Sequence, residues 1–186
     1  MTSVAVITRG AMVRWRNQNM YPSAKQVDYV REQMKGAFGF GRAMPPTEVV
    51  FPEKLEEDPE RLALFKDCQT RAWWNIKYET LTRHRDSICL FNETGFCHYI
   101  PAFVLAALEF SRADAYELCC CVLMNLNPVD DEGVVTEMLF ARFEKFSAPQ
   151  KLALAHFIHL FLDVEGLPGR QARLAFDAYW GKVLVS

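Results

Sequence analysis

The sequence has no long apolar run. Its longest stretch, Ile100 to Leu108, carries Pro101 and falls far short of the roughly 20 residues that cross a bilayer as a helix. No membrane association is expected. The opening Val4–Ile7 is too short for the core of an export signal, and Arg9 interrupts it. Strong net charge is missing too: 21 basic against 23 acidic residues leave −2 at pH 7. That excludes the broad positive field on which direct nucleic-acid binding depends. Among the six cysteines there is no C-x-x-C pair, and Cys119, Cys120 and Cys121 are consecutive. Neither a zinc site nor a disulfide framework fits that spacing. With no export signal, free thiols and a reducing, cytoplasmic setting are expected. Period-two alternation and internal repeats are also absent, which leaves no basis for a sheet or a solenoid.

What is present is a core former. Hydrophobic residues make up 51% of the chain, and Phe alone accounts for 14 positions, most of them in periodic segments. Large rings therefore dominate the expected core. Ser23 caps a helix carrying Val27, Val30, Met34, Ala37 and Phe38, which Gly36, Gly39 and Gly41 bring to an end. Asp58-Pro59 opens a second helix with Leu62, Phe65 and Cys68 on its inner stripe. A short helix near Tyr78–His84 follows, then an extended run at Ile88–Phe91, then a helix with Pro101 in its first turn. Beyond Asp114, Tyr116, Cys120, Leu123 and Met124 mark an inner face, and a shorter helix covers Thr136–Phe146. Ser147 and Gln150 form a capping box before Leu154, Phe157, Ile158, Phe161 and Leu162, the clearest helical period in the chain. Arg170–Trp180 closes the order. The expected fold is all-α: one bundle of about seven helices over residues 21–186, after a partly ordered segment at 1–20.

Catalytic and metal chemistry find little footing. Cys97 and His98 are sequence neighbours, which point different ways on a helix and do not pair. His156 and His159 lie three apart with no glutamate in the shared turn, so H-E-x-x-H chemistry is excluded. The glycines at 36, 39 and 41 neither follow a strand nor open a helix, so they are not a phosphate loop. No cofactor is expected. Charge is more informative. Between Glu53 and Glu60 stand Glu53, Glu56, Glu57, Asp58 and Glu60 against Lys54 alone, and Asp130, Asp131 and Glu132 form a second acidic loop. Such stretches steer basic partners. Trp73 and Trp74 sit at a helix junction, where one ring belongs in the core and Trp74 is the natural surface anchor.

The segment Gly95-Phe96-Cys97-His98-Tyr99-Ile100-Pro101-Ala102-Phe103, with Trp74 upstream and Ser147-Ala148-Pro149-Gln150 downstream, resembles a bacterial family of unknown function. That family has a G-F-x-Y-Y-L-P-A-[FY] centre and a last helix opened by L-[ST]-x-x-Q. The resemblance covers roughly residues 21–165; His98, Ile100 and Phe146 depart from its pattern. Small helical proteins of this kind are associated with immunity against toxins delivered by neighbouring bacteria. The resemblance thus implies a non-enzymatic immunity protein that binds a cognate toxin and occludes its active site; the charge pattern and the tryptophan pair point to the two acidic stretches and Trp74 as its contact surface. The alternatives are a small cytoplasmic enzyme with a site between helices and an adaptor subunit.

Overall fold

The computed structural model describes residues 22–50, 58–129, 134 and 136–185. The all-α expectation holds. Among the described residues there are nine α-helices and no strand, and an isolated antiparallel bridge joins Val50 to Phe91. Helix α1 (Ala24–Ala37) starts at Ser23, whose hydroxyl accepts from the Gln26 N–H while the Gln26 side chain returns to the Ser23 N–H. It buries Val27, Val30 and Met34 and ends at Phe38. Helix α2 (Pro59–Cys68) starts at Asp58, whose carboxylate accepts from the Glu60 and Arg61 amides. Its buried residues are Leu64 and Cys68, so the inner stripe turns slightly from the one expected through Leu62.

A 3-10 turn at Trp73–Asn75, α3 (Tyr78–Arg83) and a longer 3-10 turn at Arg85–Leu90 lead to α4 (Glu93–Ala107). Two expectations are corrected here. Ile88–Leu90 is 3-10 rather than extended, and only Phe91 pairs with another segment. Pro101 lies inside α4 rather than in its first turn, because Asn92 caps the helix well upstream by accepting the Gly95 N–H at 2.7 Å. The proline removes the amide that would have served the Cys97 carbonyl, and burial on all sides carries the helix through.

Helix α4 is the hub. It packs against α1, α3, α6 and, most extensively, α5 (Ala115–Asn125). Ten of its residues, among them Phe96, Tyr99, Ile100 and Phe103, are buried, as expected of a helix that is apolar around its whole circumference. Gly95 is required by this packing: a Cβ there would overlap the Val49 carbonyl. On α5, Met124 is 52% exposed rather than inward, and Leu118, Cys119 and Val122 take the inner face.

Helix α6 (Glu137–Glu144) leads into α7 (Ala148–His159), where the Ser147 N–H donates to Gln150 Oε1 at 2.9 Å. Leu154, Phe157, Ile158 and Phe161 are buried as their spacing predicts. The closing segment is subdivided into α8 (Leu167–Ala175), a π turn at Phe176–Trp180 and α9 (Gly181–Val185). The short helix near Tyr78 is present as expected, and the subdivision of the closing segment brings the count among the described residues to nine.

Candidate functional site: an aromatic cleft beside the central helix

The cleft is built outward from α4. Its Gly95–Phe103 motif works as a clamp on neighbouring backbone. Tyr99 Oη donates to the Cys68 carbonyl at 2.6 Å and lies 3.0 Å from that of Arg71. Burial holds the neighbouring His98 imidazole below its ordinary pKa, an effect the nearby Arg71 main chain partly opposes. These bonds grip the turn after α2, where Thr70 sits at φ 62°, a conformation a β-branched residue adopts only under strain. The gripped turn delivers Trp73 and Trp74. Trp73 is 2% exposed and its indole N–H donates to the Phe38 carbonyl at 3.1 Å. Trp74 turns outward, half-buried, with its ring 5.5 Å from that of Trp73 at 82°. The sequence expectation of one core ring and one surface ring is met.

The end of α1 supplies the opposite wall. Gly39 and Gly41 have φ of 63° and 76°, a turn that glycine makes without strain. Phe40 stands between them, 50% exposed, with ring centroids 5.6 Å from Trp73 and 5.7 Å from Trp74. Tyr78, Leu105, Glu109 and Arg112 complete a cleft of about 380 Å³. The Arg112 guanidinium lies 4.3 Å over the Tyr78 ring and pairs with Glu79 at 3.3 Å. The Tyr78 hydroxyl is buried with no hydrogen-bond partner among the described residues. Burial foremost, then the charge of Asp114, pushes its pKa up, so it stays a donor at neutral pH.

Of the other residues singled out in the sequence, Asp58 and Glu60 are drawn into the packing of α2 and do not line the cleft. Asp58 caps α2, with Arg61 Nε 3.7 Å from its carboxylate. Glu60 accepts from the buried Ser87 hydroxyl. Seven residues on, and so on the same face of α2, Asp67 meets the buried His84 at 2.8 Å. That bond, more than any other influence, holds the Asp67 carboxyl below its ordinary pKa. Glu53, Glu56, Glu57, Asp130, Asp131 and Glu132 lie outside the described residues. Of the cleft residues only the tryptophan pair was picked out from sequence; Phe40 and Arg112 show why the others were not. Phe40 had a signal, a large ring between two glycines. Arg112 had none, because only the tertiary fold brings it over Tyr78.

The polar groups elsewhere are mostly structural. All six cysteines are free. Burial pushes the thiols of Cys68, Cys97, Cys120 and Cys121 up to about 12 and that of Cys119 well above its usual value. They are therefore protonated and weakly nucleophilic near neutrality. His156 Nε2 lies 3.5 Å from Tyr29 Oη, while His159 is exposed. Among the described residues no three His, Cys, Asp or Glu side chains are placed to hold a metal ion, and no helix is long and apolar enough to cross a membrane. Arg142 is 1% exposed; its Nη2 donates to the Cys89 and Phe91 carbonyls at 3.0 and 2.7 Å, fastening α6 to the turn before α4.

A family model matches the chain over residues 51–184, which include Trp73, Trp74, Tyr78, Arg112 and the whole clamp. The chain belongs to DUF6714, a family of unknown function. Helix α1 and Phe40 precede the matched residues, so the cleft is walled on one side by DUF6714 residues and on the other by the segment before them. Among curated proteins and solved structures, none matches the chain.

Proposed function

We infer that the protein acts by binding another protein, with the Phe40–Trp74 cleft as the anchor site. One observation carries this. Phe40 is 50% exposed on top of a buried tryptophan, and Met44, a few residues on, is 85% exposed. Large apolar groups gathered at a surface are costly in water and become favourable once a partner covers them. Aromatic anchors in a preformed pocket also carry most of the binding energy at protein interfaces. The free cysteines favour action in a reducing, cytoplasmic setting.

The narrower form of this reading is an immunity protein that occludes a cognate toxin, supported by the family resemblance and by the acidic stretches. Asp58 is committed as a helix cap, so its reversal would cost about 1 kcal/mol of stability by itself. With Asp58 capping α2 and Glu60 bonded to Ser87, this reading leaves the steering role to Glu53, Glu56, Glu57, Asp130, Asp131 and Glu132. A photo-crosslinking residue placed at position 40 or 44 in living cells tests the broad reading. A discrete partner should be captured there and not from the exposed Asp163. Its purified form should lose affinity for Phe40→Ala and Trp74→Ala. A partner indifferent to both substitutions would remove the cleft from the interface. For the immunity form, co-expression with the adjacent gene product should restore growth only when binding is intact. Protection that survives loss of binding would instead favour an enzyme.

A further inference from the structure

We propose that the hollow between the start of α1 and the end of α7 binds a phosphate monoester, held by Lys25, His156 and His159. The hollow shares no lining residue with the aromatic cleft. Helix α1 packs against α7, and the two leave a space of about 290 Å³ at this end. Its ionisable walls are of one sign. Lys25 comes from the first turn of α1 and both histidines from the last turn of α7, and no carboxylate lines the space. The acidic residues of α1 are turned elsewhere: Asp28 pairs with Arg31 at 3.4 Å and Glu32 with Lys35 at 2.8 Å. No titratable residue of the closing segment, which also packs against α7, lines the hollow. Among the described residues, the charge that acts on His156 is that of His159, and no carboxylate opposes it.

The neutral polar groups are donors too. Gln26 Oε1 accepts from the Ser23 N–H at 3.0 Å and from its hydroxyl at 2.7 Å, which leaves the amide NH2 to donate. Tyr29 Oη stands 3.5 Å from His156 Nε2, long for a hydrogen bond, so both groups can turn to an oxyanion. The first turn of α1 has no acidic residue, and the positive end of its dipole adds to the same field. Five donor-bearing side chains around one space suit a group with three terminal oxygens and up to two negative charges. Val30 and Leu160 form an apolar floor for the organic part of the ester, beside the Tyr29 ring that meets His156 edge-on at 5.3 Å. Burial, and then the charge of His159, holds the His156 imidazole below its ordinary pKa. A bound dianion offsets that repulsion, so anion binding and His156 protonation strengthen each other. Affinity for a dianion therefore rises as pH falls through the imidazole range.

The test is an NMR titration of the full chain, following the ring resonances of His156 and His159, with inorganic phosphate, phenyl phosphate, a phosphoserine peptide and sulfate, each against chloride at matched ionic strength. Both esters should shift the two rings and bind more tightly than inorganic phosphate, and the tighter of the two tells whether the ester is a free small molecule or borne by a protein. Lys25→Gln should weaken phenyl phosphate on the order of tenfold, and His156→Gln/His159→Gln should remove its binding. Lys25 is exposed, so its replacement leaves the fold intact even if the double variant proves unstable. Sulfate, a dianion throughout, should bind more tightly at about pH 6 than at about pH 8. Shifts that chloride reproduces, or affinity that survives Lys25→Gln, would overturn the site and leave an adventitious ion only. Esters that bind no better than inorganic phosphate would overturn the organic part of the ligand. Sulfate affinity indifferent to pH would overturn the histidines as its holders.

Discussion

Two consecutive aromatic pairs, Trp73-Trp74 and Tyr179-Trp180, are built alike on their inner side and differently on their outer side. Trp73 and Trp180 are both buried, and each indole N–H donates to a main-chain carbonyl, that of Phe38 at 3.1 Å and that of Leu126 at 2.7 Å. Each stands nearly perpendicular to its neighbour, at 82° and 79°. The outer rings diverge. Tyr179 donates to Glu144 at 2.8 Å, lies 5.8 Å from the Lys151 ammonium, and packs edge-on against Phe140. Trp74 rests on Phe40, which is itself half in water. One pair is closed by polar groups of its own chain, and the other is left open. The difference separates a ring bound by polar groups of its own chain from a ring left partly open to solvent.

The inner tryptophans provide the largest test. Trp180→Ala and Trp73→Ala should each lower stability by about 3–5 kcal/mol, because a large buried ring is removed and a carbonyl loses its donor. Denaturant unfolding followed by circular dichroism measures it. A loss below about 1 kcal/mol at Trp73 would mean that the clamp on Arg71 and Cys68 positions the turn without the indole.

At the closed pair, Tyr179→Phe should cost about 1 kcal/mol, since it deletes one hydrogen bond to a largely exposed carboxylate. The pH dependence carries a definite sign. Tyr179 and then Lys151 hold the Glu144 carboxyl below its ordinary value of 4.5. Its contribution is complete above that value and is lost as pH falls through the depressed one. Glu144→Gln should therefore flatten part of the acid limb of the stability curve near and below pH 4.5 and leave the neutral region nearly unchanged. Asp67→Asn should act similarly through the bond to His84. An unchanged acid limb in both variants would show that neither carboxylate differs between folded and unfolded chains.

The smallest stability effect belongs to the open pair. Trp74→Ala should change stability by about 1 kcal/mol or less while removing the anchor of the cleft. A larger loss would turn Trp74 into a structural ring and erase the contrast with Tyr179. Thiol reactivity adds a last check. Alkylation of the native chain near neutral pH should be slow at Cys68, Cys97, Cys119 and Cys120, and unfolding should expose all six.

Local pattern made much of this legible. The Ser23-Gln26 and Ser147-Gln150 boxes, the Asp58-Pro59 start, the Leu154–Phe161 stripe and the inward-outward division of Trp73 and Trp74 were all readable, because each depends on residues within a turn or two of one another. Pro101 misled because proline marks a first turn only where no earlier cap exists, and Asn92 supplies one. Ile88–Leu90 misled because a short apolar run has no period of its own; packing against α5 set it as 3-10. The acidic run at Glu53–Glu60 reads as one feature in sequence, yet Asp58 and Glu60 spend their charge on α2 and Ser87.

What the sequence by itself determined is the all-α class, the positions of most helices and the rings that fill the core, since caps and apolar spacing are local properties of the chain. The tertiary structure alone decided which aromatic pair stays open. Glu144 lies 35 residues from Tyr179 in sequence, and Phe40 meets Trp74 beside the bond that the Phe38 carbonyl accepts from Trp73. Whether a surface ring finds a polar lid is settled by contacts between distant segments, and side-chain period along one helix carries no information about them.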